Sequence, residues 1–314
     1  MLPRVIIVTG PTASGKTDLS ETLAQRCNGS IINADMGQFY TPLTIGTAKP
    51  DWKNKLFDCL LFDILDQPVE LNIVKYRAMV LQAVSTIIAQ GKVPIIVGGS
   101  LFYIKSLFFP PLPQQKTEHF SDVDFTRSTY ALWSLLNTID VDRAKQIHHN
   151  DRYRIVRALT IWQQTGVKPS KQQPVFAPAF NTLVISLEPA RDVLKKRIEM
   201  RTCIMLQQGL IDEARTLVNT DWEAFLEKKG LIGYHELFAW IRAVQHESLL
   251  DATAGVIVQK TWQYAKRQLT FLSKFKNELA VAGQQAPGLI RVLTLSQCTT
   301  TPELINSIKI FLLG

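Results

Sequence analysis

The eight residues GPTASGKT, from Gly10 to Thr17, constrain this chain more than any other stretch. They follow the apolar run RVIIV and lead straight into DLSETLAQRC, which has the composition of a helix. A G-x-x-x-x-G-K-T spacing between a strand and a helix is a phosphate cradle. The loop residues Gly10, Pro11, Thr12, Ala13, Ser14 and Gly15, with the helix N-terminus, would hold a diphosphate. Lys16 would neutralise it, and the Thr17 hydroxyl would ligate Mg²⁺. Such a loop specifies a phosphate ligand and leaves the reaction open, since kinases, hydrolases and transferases all use it.

What surrounds the loop predicts an α/β fold: a P-loop NTPase-like parallel sheet flanked by helices, with an inserted helical domain. Apolar β-rich runs recur at 5–8, 30–33, 60–65, 93–99, 182–187 and 289–295, with helical stretches between them. The segment NIVKYRAMVLQAVSTIIAQGK has apolar residues at helical spacing and closes on Gly91, as a crossover helix would. Near the end, Thr301 and Pro302 are an N-cap and first-turn pair for a last helix. From about Pro110 to Pro178 the strand rhythm stops and the text becomes polar, helical and bounded by prolines. The expected organisation is therefore a core from 1–110, completed by 179–225 and 286–314, with an inserted helical lobe at 111–178. A further helical segment at 226–285 would pack on the core. There are no internal repeats and no low-complexity tracts.

Charge suggests a polyanionic partner. The 314 residues carry a formal net charge of +8. Between Arg143 and Arg201 stand twelve Lys/Arg against four Asp/Glu, an excess equal to that of the whole chain. Such clustering suits nucleic acid as well as a solvated helix face. No apolar run approaches the roughly 18 residues of a membrane span, and the N-terminal residues do not have the pattern of a signal peptide. A cytoplasmic protein is expected. Cys27, Cys59, Cys203 and Cys298 are too scattered for a disulfide framework or zinc, and the adjacent His148 and His149 are not expected to hold a metal.

Two further positions fall at the C-terminal ends of expected strands, where open α/β sheets bind ligands. Asp35 follows the second run and could be a general base, a carboxylate of the magnesium shell or the cap of the next turn. Ser100 follows Gly98-Gly99 at the end of the fourth run, where it brings a hydroxyl to the same rim or simply closes a tight turn.

Seven stretches, GPTASGKT, ADMGQFYTPLTIGTAKP, VGGSLFYIKSL, NDRYRIVRAL, RIEMRTCIMLQQGLIDEARTL, IGYHEL and YAKRQLTFL, together resemble the tRNA dimethylallyltransferase (tRNA isopentenyltransferase) family in order and register, from about residue 4 to 275. The resemblance implies transfer of a dimethylallyl group from dimethylallyl diphosphate to N6 of the adenosine immediately 3′ of the anticodon, with release of pyrophosphate. It implies Asp35 as the base, Ser100 beside it where the family usually has threonine, and Arg201 on the diphosphate. By the same resemblance the anticodon stem-loop would meet Asp35, Met36, Gly37 and Gln38. It would also meet Tyr153, Arg154, Ile155, Val156 and Arg157, then Tyr234, and finally Lys266, Arg267, Gln268 and Thr270. Met36 stands where serine is usual in the family, and the insert is shorter than usual. A monomer is expected. Two rival functions use the same loop: a small-molecule or nucleoside kinase with a basic lid, and an RNA-binding family member without catalysis.

Overall fold

Strands apolar on both faces must be buried between layers of helix, and this chain builds that arrangement. In the computed structural model, which describes residues 2–111, 122–172, 175–243 and 247–313, the chain opens with β1 (Arg4–Thr9), α1 (Lys16–Arg26), β2 (Gly29–Asn33), β3 (Cys59–Leu60), α2 (Ile73–Ala89), β4 (Val93–Gly98) and α3 (Leu101–Lys105). It continues with α4 (Thr129–Ile139), α5 (Val141–Lys145), α6 (Arg152–Thr165), β5 (Asn181–Leu187), α7 (Arg191–Gln207), α8 (Leu210–Leu217) and α9 (Asp221–Lys229). It ends with α10 (Tyr234–Arg242), α11 (Glu247–Gly283), β6 (Ile290–Leu295) and α12 (Pro302–Leu313). The six strands form one sheet in the order β3-β2-β4-β1-β5-β6, every pair parallel. This is the P-loop NTPase-like fold.

The chain divides into two compact units, Met1–Phe108 with Pro178–Gly314, and Phe109–Ala177. In the first, Val5, Ile6, Ile7 and Val8 of β1 are fully buried. Ile6, Val8, Ile31 and Ile95 pack with Leu19 and Leu23 of α1 and with Leu304, Ile308 and Phe311 of α12. Burying one such aliphatic side chain stabilises the fold by about 1.5–3 kcal/mol. The second unit has its own core, in which Leu132 and Leu136 of α4 meet Ala144, Ile147, Ile155, Ala158 and Leu159. Among the described residues, no helix is long and apolar enough to cross a membrane.

The helix signals act as their chemistry requires. Asn72 caps α2 by accepting from the Lys75 N–H at 2.8 Å, and Thr301 caps α12 by accepting from the Leu304 N–H at 3.3 Å. The third apolar run departs from expectation: only Cys59 and Leu60 pair as a strand. Leu61 and Asp63 take positive φ values of 63° and 49°, which breaks the extended backbone. Asp63 is instead drawn into an ion pair with Lys49 and accepts the Trp52 indole N–H at 3.0 Å.

β4 ends against β2 so closely that a Cβ on Gly98 would overlap the Ala34 carbonyl. Since the obstacle is backbone, Gly98→Ala is expected to destabilise by about 1–3 kcal/mol. A urea-unfolding midpoint measured beside the unmodified protein checks this.

Candidate active site

β1 ends where the order of strand addition reverses, with β4 on one side and β5 on the other, and the chain then turns into α1. Ala13 at φ 60° and Gly15 at φ 91° wind this turn into the left-handed kinks that gather backbone N–H groups into an anion nest. Ser14 N–H donates to the Pro11 carbonyl at 3.3 Å, and Lys16 Nζ folds back onto the same carbonyl at 2.7 Å. The hydroxyl of Ser14 is buried without a hydrogen-bond partner among the described residues.

Cations crowd this loop. α7 crosses it and presents two arginines one helical turn apart: Arg197 Nη1 donates to the Ser14 carbonyl at 3.3 Å, and Arg201 Nη1 to Thr12 Oγ1 at 3.1 Å. Desolvation pushes the Lys16 ammonium down to about 8, with Asp35 opposing and Arg201 adding to the depression. Desolvation likewise lowers Arg201, again opposed by Asp35. Positive charge held out of water in this way is relieved by an anion. The family resemblance points to Arg201 and not to Arg197, although the i, i+4 spacing of the two on one helix is a signal the sequence does carry.

The carboxylate opposite is equally well placed. Asn33, the last residue of β2, accepts the Asp35 N–H through Oδ1 at 2.8 Å and donates through Nδ2 to the Leu61 carbonyl at 3.1 Å. Asp35 in turn accepts the Gly37 N–H at 3.3 Å and so caps a 3₁₀ turn at Met36–Phe39. Cap and base are compatible roles for this residue, because the cap uses one carboxylate oxygen, Oδ1. Ser100 Oγ accepts the Met36 N–H at 2.9 Å, which ties the ends of β2 and β4 together.

Asp35, Ser100, Thr12 and Arg201 line one cavity of about 1080 Å³, counted to its open mouth. Ile198, Met205, Leu210, Leu231, Ile232 and Ile257 give it an apolar wall. A second hollow of about 1190 Å³ opens on the phosphate loop, lined by Lys16, Thr17, Lys49 and Arg197. Arg201 and Met205 belong to both, so the two meet at Arg201. A narrower recess of about 400 Å³ holds Lys16, Thr17 and Asp35 together.

Residues expected to face RNA divide into three groups. Met36, Gly37 and Arg267 line the cavity, while Lys266 and Thr270 are exposed on α11, and Tyr153, Arg154 and Arg157 are exposed on α6. Gln38 points inward and donates to the Thr47 and Ala48 carbonyls at 3.2 Å. Four others are less exposed, three of them buried. Ile155 is fully enclosed in the second unit's core, against which Val156 also packs. Tyr234 is fully buried, and its hydroxyl donates to Glu213 at 2.7 Å. Gln268 is buried, with Oε1 accepting the Thr12 N–H at 2.8 Å and Nε2 donating to the Gly99 carbonyl at 3.0 Å. Its amide braces the phosphate loop against the end of β4, and the residue also lines the cavity. On α6 and α11, helical periodicity turns inward residues that stand next to exposed ones in the sequence.

Comparison with known proteins places these features in one group. Residues 38–275 match the IPP transferase family. The tRNA dimethylallyltransferase of Staphylococcus haemolyticus is 34% identical over 312 residues, covering 95% of this chain and 91% of that protein. The tRNA dimethylallyltransferase 2 of Geotalea uraniireducens is 34% identical over 280 residues, covering 86% and 89%. Among solved structures, a eukaryotic dimethylallyltransferase acting on tRNA superposes with a TM-score of 0.75 at 26% identity, covering 93% of this chain and 74% of that one. The tRNA isopentenylpyrophosphate transferase of Staphylococcus epidermidis gives 0.61 at 28% identity, covering 98% of both.

The depressed Lys16 gives a signed pH dependence. Below about 8 its charge is present and attracts an anion; above it the charge is lost. Affinity for inorganic diphosphate should therefore fall as pH rises through 8, by up to about tenfold per pH unit from this group. Calorimetric titration of the unmodified protein and of Lys16→Met from pH 7 to 9 checks this, since the ligand's own ionisation is common to both. The mutant should bind more weakly and with a flatter profile.

Proposed function

The chain belongs to the IPP transferase family, and from that membership and the geometry of its cavity we infer that it transfers a dimethylallyl group from dimethylallyl diphosphate to N6 of the adenosine 3′-adjacent to the anticodon of a tRNA. The observation that carries this reading is that one cavity joins a carboxylate, Asp35, to an arginine, Arg201, which also reaches the phosphate loop. A purine amine on one side and a diphosphate ester on the other would meet between them.

An adenine amine is a weak nucleophile because its lone pair is delocalised into the ring, so attack needs a base within hydrogen-bond reach. Asp35 would take the N6 proton as the N6–C1 bond forms, and the C1–O bond would break with its electron pair leaving on the diphosphate. Ser100, whose Oγ already accepts the Met36 N–H, keeps an O–H to orient the amine or the carboxylate. Lys16, Arg197 and Arg201 would hold the growing negative charge with no reorganisation, because hydrogen bonds to the loop already fix them. Ile198, Met205 and Ile257 would keep water from the allylic carbon.

Oxygen donors suit Mg²⁺, and Thr17 and Asp35 line the same recess as Lys16. Thr17 would hold the ion there, with the diphosphate supplying further oxygens. Bound in that position, magnesium would neutralise the leaving group. The target base must leave its stack to enter such a cavity, which an anticodon loop permits cheaply. Exposed Tyr153, Arg154 and Arg157 on α6 would supply stacking and phosphate contacts. We take the protein to act as a monomer in the cytoplasm.

Mass analysis of tRNA nucleosides after incubation with the purified protein, dimethylallyl diphosphate and magnesium tests the assignment: gain of one five-carbon unit on adenosine is expected. Phosphate transfer from γ-labelled ATP to a small acceptor, with no prenylated nucleoside, would replace it with the kinase reading. Asp35→Ala is expected to lower turnover by about 10²–10⁴ while RNA affinity stays nearly unchanged. Replacing Arg154 and Arg157 by glutamine should weaken tRNA binding, and should reduce the slope of log K against log salt by roughly 0.7–0.9 for each phosphate that is no longer neutralised. Filter binding across a salt series measures that slope.

A further inference from the structure

We propose that Glu213, on α8, is a positioning residue that sets Arg201 and Asp35 through the loop 44–48; the proposal rests on the function inferred above. Its carboxylate is surrounded by donors. Oε2 accepts the Thr44 N–H at 2.9 Å and the Ile45 N–H at 2.7 Å. Oε1 accepts the Gly46 N–H at 2.9 Å and the Tyr234 hydroxyl at 2.7 Å. Four donors thus meet the four lone-pair sites of one carboxylate. Three of them are successive backbone amides, so the path of the loop is dictated by a side chain from a distant helix.

The loop then makes two contacts that matter for chemistry. The Thr47 carbonyl accepts Arg201 Nη2 at 3.4 Å, while Arg201 Nη1 reaches Thr12 of the phosphate loop at 3.1 Å. The Thr47 methyl lies 2.8 Å from where a Cβ on Gly37 would be, so it packs beside the residue whose N–H donates to Asp35. The clamp closes only because Gly46 has no side chain: a Cβ there would lie 2.6 Å from the Tyr234 ring. This gives structural roles to Gly46 and to Tyr234, which the family resemblance assigns to RNA.

A double-mutant cycle tests the proposal. Glu213→Gln places an NH₂ against backbone donors and should release the loop. Magnesium-dependent binding of inorganic diphosphate and kcat for prenyl transfer are measured for the unmodified protein, Glu213→Gln, Arg201→Ala and the pair. If Glu213 acts through Arg201, Glu213→Gln weakens diphosphate binding by about tenfold alone and by less than about twofold once Arg201 is gone. The same factor in both backgrounds overturns the proposal, because a staple that merely supports the fold is indifferent to Arg201. Should Glu213→Gln reduce the yield of folded protein, the cycle is run with Tyr234→Phe, which removes one of the four bonds; the criterion is the same. An unmodified protein that prenylates tRNA but gives an additive cycle defeats the Glu213 proposal alone. An unmodified protein that neither prenylates tRNA nor binds diphosphate defeats the functional reading, and this proposal with it.

Discussion

Positive charge held away from water at the end of β1 is the constraint from which the rest of this site follows. Lys16 and Arg201 are both pushed toward their neutral forms by desolvation, and the carboxylate acting on both is Asp35. A fold gains nothing from stranding cations in this way, because an incompletely paired charge in a low-dielectric setting costs several kcal/mol. The cost is tolerable if a polyanion completes the arrangement. A diphosphate ester would do so and, once bound, would already be surrounded by groups able to stabilise its departure.

Around this charge the protein holds its loops with side chains from elsewhere in the sequence. Gln268 of α11 joins the phosphate loop to the end of β4 through Thr12 and Gly99. Asn33 sets the backbone at Asp35, and Ser100 holds the following residue, Met36. These are neutral or fully satisfied hydrogen bonds whose contribution is orientation more than stability, each worth about 0.5–1.5 kcal/mol net. Because each joins two segments, a displacement in one is passed to the next. A 1 Å error in catalytic geometry is costly enough to explain why so many buried side chains serve placement.

Much of this is legible in the sequence, for identifiable reasons. The phosphate loop, five of the six strands and the crossover helix follow from local periodicity and from Gly, Pro and Thr punctuation, and the structure retains them. Asp35 and Ser100 can be placed at the rim because strand C-termini point there. The shortened β3 cannot be read, because the apolar text LLFDIL continues past the point where Asp63 turns away to Lys49 and Trp52. Nor can the roles of Gln268, Tyr234 and Glu213, since each depends on a partner far away in the chain. Tyr234 and Gln268 sit within motifs that the family resemblance associates with RNA, and each also bonds to a distant part of the chain. Arg197 lies between these cases: its spacing from Arg201 is visible, but the helix face that meets the loop is not.

The position of β1 in the sheet bears on how the protein is made. It pairs with β4 on one edge and with β5 on the other, and β5 ends at Leu187. A nascent chain therefore carries a phosphate loop flanked on one side only until β5 has left the ribosome. The unit at Phe109–Ala177, with a hydrophobic core of its own, is synthesised in that interval. It can collapse locally while β1 still presents one unpaired edge, an order of events that shortens the effective tether between β4 and β5 before they are brought together.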